Sequence, residues 1–320
     1  FKHLVFVIIG LGLIIIFSYI NQEILYKISI YIFFVSLILL FLVPIIGVEV
    51  KGSKRWLDIF FLPRLQPIEL VKPFFIIVLS TLITFDKLKN FTLKFILTLF
   101  LTLLIAFFLI IQPDLGQTLL VGFTWMILIF ISGVNLVFLL TISVLGLSLL
   151  LYFTFYVPKF EYIKNRILSF FNSETGTHNF QSDKATDSII SGGFFGKGIG
   201  EGTLKNRVPE AHTDYIVSVI SEEFGVIVII LILILFLTFI FSIFKKVNVE
   251  KDHKTKLILV GSASLILFQA MIHIGVNIRL FPTTGMTLPF LSYGGSSIIS
   301  ISILSGIILN LTKRKIRLKI

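Results

Sequence analysis

"VPEAHTDYIVSVISEEFGVIVIILILILFLTFIFSIF" (residues 208–244) is the stretch on which the reading of this chain turns. From Val226 to Phe244 it carries no charge at all. A helix of roughly 20 apolar residues crosses a hydrocarbon core of about 30 Å, so this run reads as a membrane span. The entrance to the run is different. Glu210, His212, Asp214, Glu222 and Glu223 gather where lipid should begin. Ionised groups are costly there, and they mark a place where function competes with solvation.

The rest of the chain repeats the apolar half of this pattern. Apolar runs cover about 4–20, 28–46, 67–85, 94–111, 115–132, 136–157, 214–244, 256–280 and 291–311. With 56% hydrophobic residues, 14% charged residues and a mean hydropathy of +1.01, the 320-residue chain lacks the polar surface of a soluble domain. The sequence predicts an all-α polytopic membrane protein, one integral domain over 1–320, with nine spans, since each span must satisfy its own backbone hydrogen bonds. The run 214–244 reaches roughly 45 Å at 1.5 Å per residue, and is expected to tilt or to project beyond the bilayer. There is no cysteine, which excludes disulfide and thiolate chemistry. No cleavable signal peptide is expected before the first run, and the start at Phe1, close to an apolar run, leads us to expect missing N-terminal sequence.

Nine spans put the two ends on opposite sides. The basic loop "KKVNVEKDHKTK" (245–256) and the tail "KRKIRLK" (313–319) fall on one side, which the positive-inside rule makes the cytoplasm. Segments 47–66 and 158–213 then face outward, 158–213 as a large extracytoplasmic loop. Both carry cations, among them Lys54, Arg55 and Arg166. Long loops escape the rule, or these cations meet an anionic substrate. The net charge of +11 sits in short loops beside membrane lipid, with no aromatic-basic module, so no nucleic-acid partner is expected.

Four stretches carry polar chemistry, each with a plainer reading beside it. In "KGSKRWLDIFFLPRLQPIELVK" (51–72), Trp56, Phe60 and Phe61 suit an interfacial anchor. Glu69 and Lys72, three residues apart on one helix face, form either a neutralised pair or part of a polar pocket. In "IQPDLGQT" (111–118), Asp114 reads as the cap of the next helix. "SGGFFGKGIGEG" (191–202), with six glycines, reads as a structured turn rather than a nucleotide loop, because no strand-turn-helix context surrounds it. "FPTTGMTLPFLSYGGSS" (281–297) is too rich in Pro and Gly for a continuous helix, and is expected to be a re-entrant segment lining a cavity, with Ser292 and Ser296 among its polar groups.

The opening stretch bears the sharpest question. Asp214 near a helix start either complements the helix dipole or serves as a general base. Glu222 lies eight residues on, displaced by only about 80° on a helix, so both acids are expected to border one outward cavity, with His212 and Thr213 beside it.

Taken together, "KRWLDI" with "QPIELVK", "PDLGQT", "NRILSFFN", "SGGFFGKGIGEG", "PEAHTDYIVSVISEEFG" and "PTTGMTLPFLSYGGSS" resemble the SEDS family (shape, elongation, division and sporulation), which includes FtsW, RodA and SpoVE. The pieces come in the family's order over nearly the whole chain, and are more like the FtsW division branch than the RodA elongation branch. Ile68 replaces the usual serine of "QPSE", and Arg279 charges a usually uncharged stretch. The resemblance implies a SEDS-type helical bundle of ten spans, the first absent here. It places the protein in the bacterial cytoplasmic (inner) membrane, with its active site facing the periplasm or cell exterior.

The implied activity is that of an inverting peptidoglycan glycosyltransferase that polymerises lipid II and releases undecaprenyl pyrophosphate. Asp214 matches the family's essential aspartate. Glu69 and Lys72, with His212, Glu222, Ser292 and Ser296, are expected to support the cavity. Lys54, Arg55, Lys72 and Arg166 are candidates for pyrophosphate contact. A divalent cation, Mg or Mn, is an alternative source of that charge. Expected partners are a class B penicillin-binding protein transpeptidase and other divisome proteins. The competing functions are a lipid II flippase, the elongation-type polymerase, and an ion-coupled transporter, the last disfavoured by acids gathered at the surface rather than at midplane.

Overall fold

The computed structural model describes residues 2–50, 53–58, 64–171 and 177–313. Phe60, Phe61 and the tail beyond Lys313 lie outside the described residues. The helices, in chain order, are α1 Lys2–Tyr19, α2 Gln22–Ile46, α3 Pro67–Ile83, α4 Phe91–Ile111, α5 Leu115–Ile131 and α6 Leu136–Tyr156. They continue with α7 Glu161–Phe171, α8 Thr177–Gly192, α9 Ile216–Val249, α10 His253–Asn277 and α11 Gly295–Thr312. All nine apolar runs have become helices. Among the described residues, α2, α4, α6, α9, α10 and α11 are long and apolar enough to cross a membrane, and α1 and α5 are shorter apolar helices. The chain is a multi-pass membrane protein.

The helix starts are written locally. Asn21, Asn90 and Asn135 each accept the amide two residues on, while Asp114 and Asp252 accept the amides of Gln117 and Thr255. These side chains satisfy amides that a helix end leaves without partners. The helix that caps on Asp114 is the one expected from its sequence.

Burial sorts the helices into a core and a rim. α3, α10 and α11 are buried along most of their length and pack on one another, with α1 on α11, α2 on α3, and α5 and α9 on α10. The outer faces of α2, α4, α6 and α9 expose Ile, Leu and Phe, as surfaces solvated by lipid must. α6 buries only Leu139 and Thr154 and stands at the edge.

Three features depart from expectation. The segment after α2 is a small antiparallel hairpin, β1 Val48–Val50 with β2 Ser53–Trp56, rather than a plain interfacial stretch. The segment 158–213 is largely helical, holding α7, α8 and a turn of 3-10 helix at Leu204–Arg207. The third concerns the long run: α9 does not cross as one rod but breaks at Gly225, whose φ of 80° and ψ of 174° leave the helix. The part from Val226 onward spans about 36 Å at 1.5 Å per residue, close to a bilayer core.

The break is capped on both sides by the glycine-rich loop that follows α8. Lys197 and Gly198 donate their amides to the carbonyls of Glu222 and Glu223, at 2.9 and 3.0 Å. Val226 and Ile227, restarting the helix, donate to the carbonyls of Gly193 and Phe194, at 3.0 and 3.4 Å. A Cβ on Gly225 would lie 2.1 Å from the Phe194 carbonyl oxygen, so only glycine fits at that crossing.

Candidate active site

Three walls enclose a cavity of about 490 Å³. The first is the start of α3 with α5 beneath it. Lys72 places its ammonium 2.8 Å from each oxygen of Glu69, with both side chains buried. Gln117 donates to Glu69 at 2.9 Å, and Lys72 donates to Gln269 of α10 at 3.2 Å. Gln269 in turn holds the Thr287 carbonyl at 3.0 Å. Of this network Glu69, Gln117 and Thr287 line the cavity, while Lys72 lies behind them. The sequence left two readings of the Glu69–Lys72 pair, and both describe part of it: a neutralised pair that also forms the cavity floor. Breaking one partner would strand a buried charge.

The second wall is the hairpin against the α4–α5 corner. Arg55 on β2 donates Nε to the Gln112 carbonyl at 3.1 Å and Nη2 to that of Pro113. Its Nη1 lies 3.6 Å from Asp114 Oδ2. Asp114 is thus more than the helix cap, and also receives Gln66 Nε2 at 3.4 Å. Carbonyls at the end of α4, which carry partial negative charge, and a buried carboxylate together fix the guanidinium at the cavity edge.

The third wall joins the turn before α9 to the irregular segment 278–294 and to α7 and α8. Asp214 is not in the first turn of α9. It ends a turn in which its amide donates to the Glu210 carbonyl at 3.1 Å, and Asn277 holds its own carbonyl at 3.0 Å. Its side chain lines the cavity with Arg55, Arg166, Gln181, Glu210 and Tyr293. Gly285, at a φ of +72°, sits where a Cβ would be 3.5 Å from Asp214 Oδ2 and 3.8 Å from Arg55 Nη1. The carboxylate and the guanidinium therefore face the same small space, which a side chain there would fill. Arg166 of α7 donates to the Thr283 carbonyl at 3.0 Å. Arg279 pairs with Asp183 of α8 at 2.7 Å, fastening the segment from its far end.

Of the remaining predicted residues Thr213 lines the cavity, and the others fall outside the lining. Ser292 bonds the Thr213 carbonyl at 2.6 Å and accepts the Leu288 amide, and Ser296 accepts the Gln66 amide at 3.1 Å. They brace the walls, and their neighbours Tyr293 and Ser297 face the cavity. The His212 carbonyl accepts the Tyr293 amide at 2.8 Å. Lys54 is exposed on β2, away from the lining.

Glu222 corrects the expectation that it borders the cavity. It is fully buried, accepting Ser188 Oγ at 2.9 Å and the amides of Leu204 and Lys205 at 2.9 and 2.6 Å. The helical-wheel argument failed because the backbone is not helical at Asp214.

Sequence reasoning missed Gln66, Gln117, Gln181, Gln269, Thr287, Tyr293 and Ser297. Neutral amides and hydroxyls stand out neither by charge nor by apolar period, so only the quoted motifs that contain some of them could have drawn the eye. Among the described residues no three His, Asp or Glu gather as a metal site.

Known proteins share this fold. The chain matches the FtsW, RodA and SpoVE family of cell cycle proteins over residues 1–316. It is 33% identical to a probable peptidoglycan glycosyltransferase FtsW of Trichlorobacter lovleyi, over 97% of this chain and 82% of that protein. A protein of the same description from Caulobacter vibrioides is 34% identical, over 85% and 68%. Among solved structures, a chain of a peptidoglycan synthase complex that coordinates polymerization and crosslinking superposes with a TM-score of 0.80 at 26% identity, covering 97% of this chain and 88% of that one. The rod-shape-determining protein RodA of Thermus thermophilus superposes at 0.71 with 27% identity, covering 97% and 86%. The fold, the ordered motifs and these likenesses agree: the chain belongs to the FtsW, RodA and SpoVE family.

Proposed function

We propose that the chain is a peptidoglycan glycosyltransferase that polymerises lipid II for cell division, with Asp214 as general base. The observation that carries this reading is the convergence of Asp214, Arg55 and Arg166 on one polar cavity of about 490 Å³, a size typical of small-ligand sites.

Asp214 takes the proton of the acceptor's GlcNAc 4-hydroxyl. That oxygen forms a bond to the donor's MurNAc anomeric carbon as the bond to the pyrophosphate oxygen breaks, inverting the centre. Undecaprenyl pyrophosphate departs already ionised and needs no protonating acid. Arg55, held rigid by two carbonyls and Asp114, and Arg166 are placed to neutralise it.

The cavity opens toward the periplasm or cell exterior, with the basic loop 245–256 on the cytoplasmic side of the inner membrane. The FtsW names of the relatives support the division role over elongation. The peptidoglycan synthase complex among the structural neighbours supports a class B penicillin-binding protein as partner. Purified protein in liposomes with fluorescent lipid II tests the reading. Glycan strands that a muramidase digests support the polymerase. Translocation of lipid II across the bilayer with no strands formed would instead make the cavity that of a flippase.

A further inference from the structure

The glycine-rich loop has work that the reaction does not use. Its tip exposes Phe194, Phe195 and Ile199, each more than 70% accessible, and Ile190 at the end of α8 extends the same apolar surface. In water such a cluster marks a contact surface. Its height in the molecule is fixed by hydrogen bonds. The Phe194 carbonyl accepts the amide of Ile227 and the Gly193 carbonyl that of Val226, the first two residues of the apolar run that crosses the membrane. The loop therefore hangs level with the beginning of that run, beside Ile227 and Ile230, whose side chains are about half exposed on the outer face of α9.

Part of its backbone also meets the condition for entering lipid. Non-helical backbone is tolerated at membrane depth only where its polar groups are satisfied by protein. Gly196 donates to the Gly192 carbonyl, Lys197 and Gly198 donate to α9, and the carbonyls of Gly193 and Phe194 accept from it. The one cation of the tip, Lys197, turns its ammonium to within 3.9 Å of Glu222. The apolar side chains are left to face outward.

We propose that Phe194, Phe195 and Ile199 form a wedge inserted into the lipid bilayer beside α9. The glycines let the loop lie against the helix break, and the aromatic rings occupy the interfacial depth that aromatic side chains favour. Glu222 and Glu223 hold this loop and the turn at Leu204–Arg207 to α9. The inference rests on the membrane fold alone and is independent of the proposed reaction.

The chain has no cysteine, so a single introduced thiol can be labelled without background. Phe195→Cys and Ile199→Cys, carrying nitroxides in liposomes of the purified protein, are compared with Ile230→Cys on the face of α9 and Lys251→Cys in the basic loop. The expected result is that collisions with oxygen exceed those with a water-soluble nickel chelate at 195 and 199, as at 230 and opposite to 251. Nickel access at both loop positions equal to that at 251 overturns the proposal. Protection that arises only after a second protein is added overturns it too, and assigns the patch to that protein.

Discussion

Two carboxylates eight residues apart in one motif have been given opposite surroundings. Asp214 lies in a turn ahead of α9, with its side chain at the wall of a polar cavity and a guanidinium across Gly285. Glu222 lies inside the helix, sealed from solvent, with a hydroxyl and backbone amides on its oxygens. One acid is left where a substrate can reach it, and the other is spent on holding two loops to a broken helix. The difference shows that an acid at a membrane entrance can be affordable for either reason. Which one applies is decided by whether the side chain is sealed in protein or lines a cavity that a ligand can enter.

The widest gap between the two should come from Asp214→Asn. Losing a general base costs about 10²- to 10⁴-fold in rate, so glycan synthesis should fall by that factor with thermal unfolding in detergent unchanged. Polymerisation at the wild-type rate by the variant would remove Asp214 as base. Glu222→Ala should do the reverse. Donors that lose a buried acceptor cost about 1–3 kcal/mol each, so the melting temperature should drop first and activity should follow it. Glu222→Gln, which keeps one oxygen acceptor, should restore part of the stability. If Glu222→Gln were fully stable yet inactive, the contrast drawn here would be broken.

The sequence made half of this contrast legible. The nine apolar helices followed from run length, because lipid leaves the backbone little choice. Asp214 and Asp114 were both found, one through its motif and one through its position as a cap. What stayed hidden was wherever the backbone left the helix. The 80° argument for Glu222 assumed a helix from Asp214 onward, yet the chain turns through Glu210 at a φ of 56° and α9 starts only at Ile216. The kink at Gly225 was equally unseen, because its cause, the approach of Gly193 and Phe194, comes from a distant stretch. The hairpin that carries Arg55 is short and its register is interrupted by a bulge, so no alternation announces it.

Arg55 sharpens the comparison from the side of the cation. Its guanidinium is fastened by the carbonyls of Gln112 and Pro113 and by Asp114, using the planar geometry that an ammonium lacks. Arg55→Lys preserves the charge but loses this clamp. A loss of roughly one charge-assisted hydrogen bond, about 1.5–3 kcal/mol, should lower kcat/KM by about tenfold or more. Asp114→Asn should produce a smaller fall through the same arginine. Lysine at 55 with unaltered kinetics would show that the site needs the charge without its orientation.

The smallest effect belongs to a third carboxylate, which plays the role that the plainer reading offered Asp214. Asp252 caps α10 outside the membrane, accepting the Thr255 amide at 3.0 Å and its hydroxyl at 2.5 Å. Partial burial pushes its pKa up. The Thr255 hydroxyl and amide, the Lys254 amide and the Lys254 charge outweigh that and hold it below the usual aspartate value. A carboxyl whose folded pKa is depressed stabilises the fold at every pH above its unfolded pKa, and loses that contribution as pH falls through the folded value. Asp252→Ala should therefore cost about 1 kcal/mol or less at neutral pH, since the site is exposed. The gap from wild type should close below the ordinary aspartate range, as read by thermal unfolding in detergent across pH. The same variant should polymerise lipid II normally, because a cap touches no substrate. A gap that persisted unchanged into acid would mean that the α10 start is held by packing rather than by this charge. A cap could then no longer serve as the measure of what Asp214 would be worth were it merely structural.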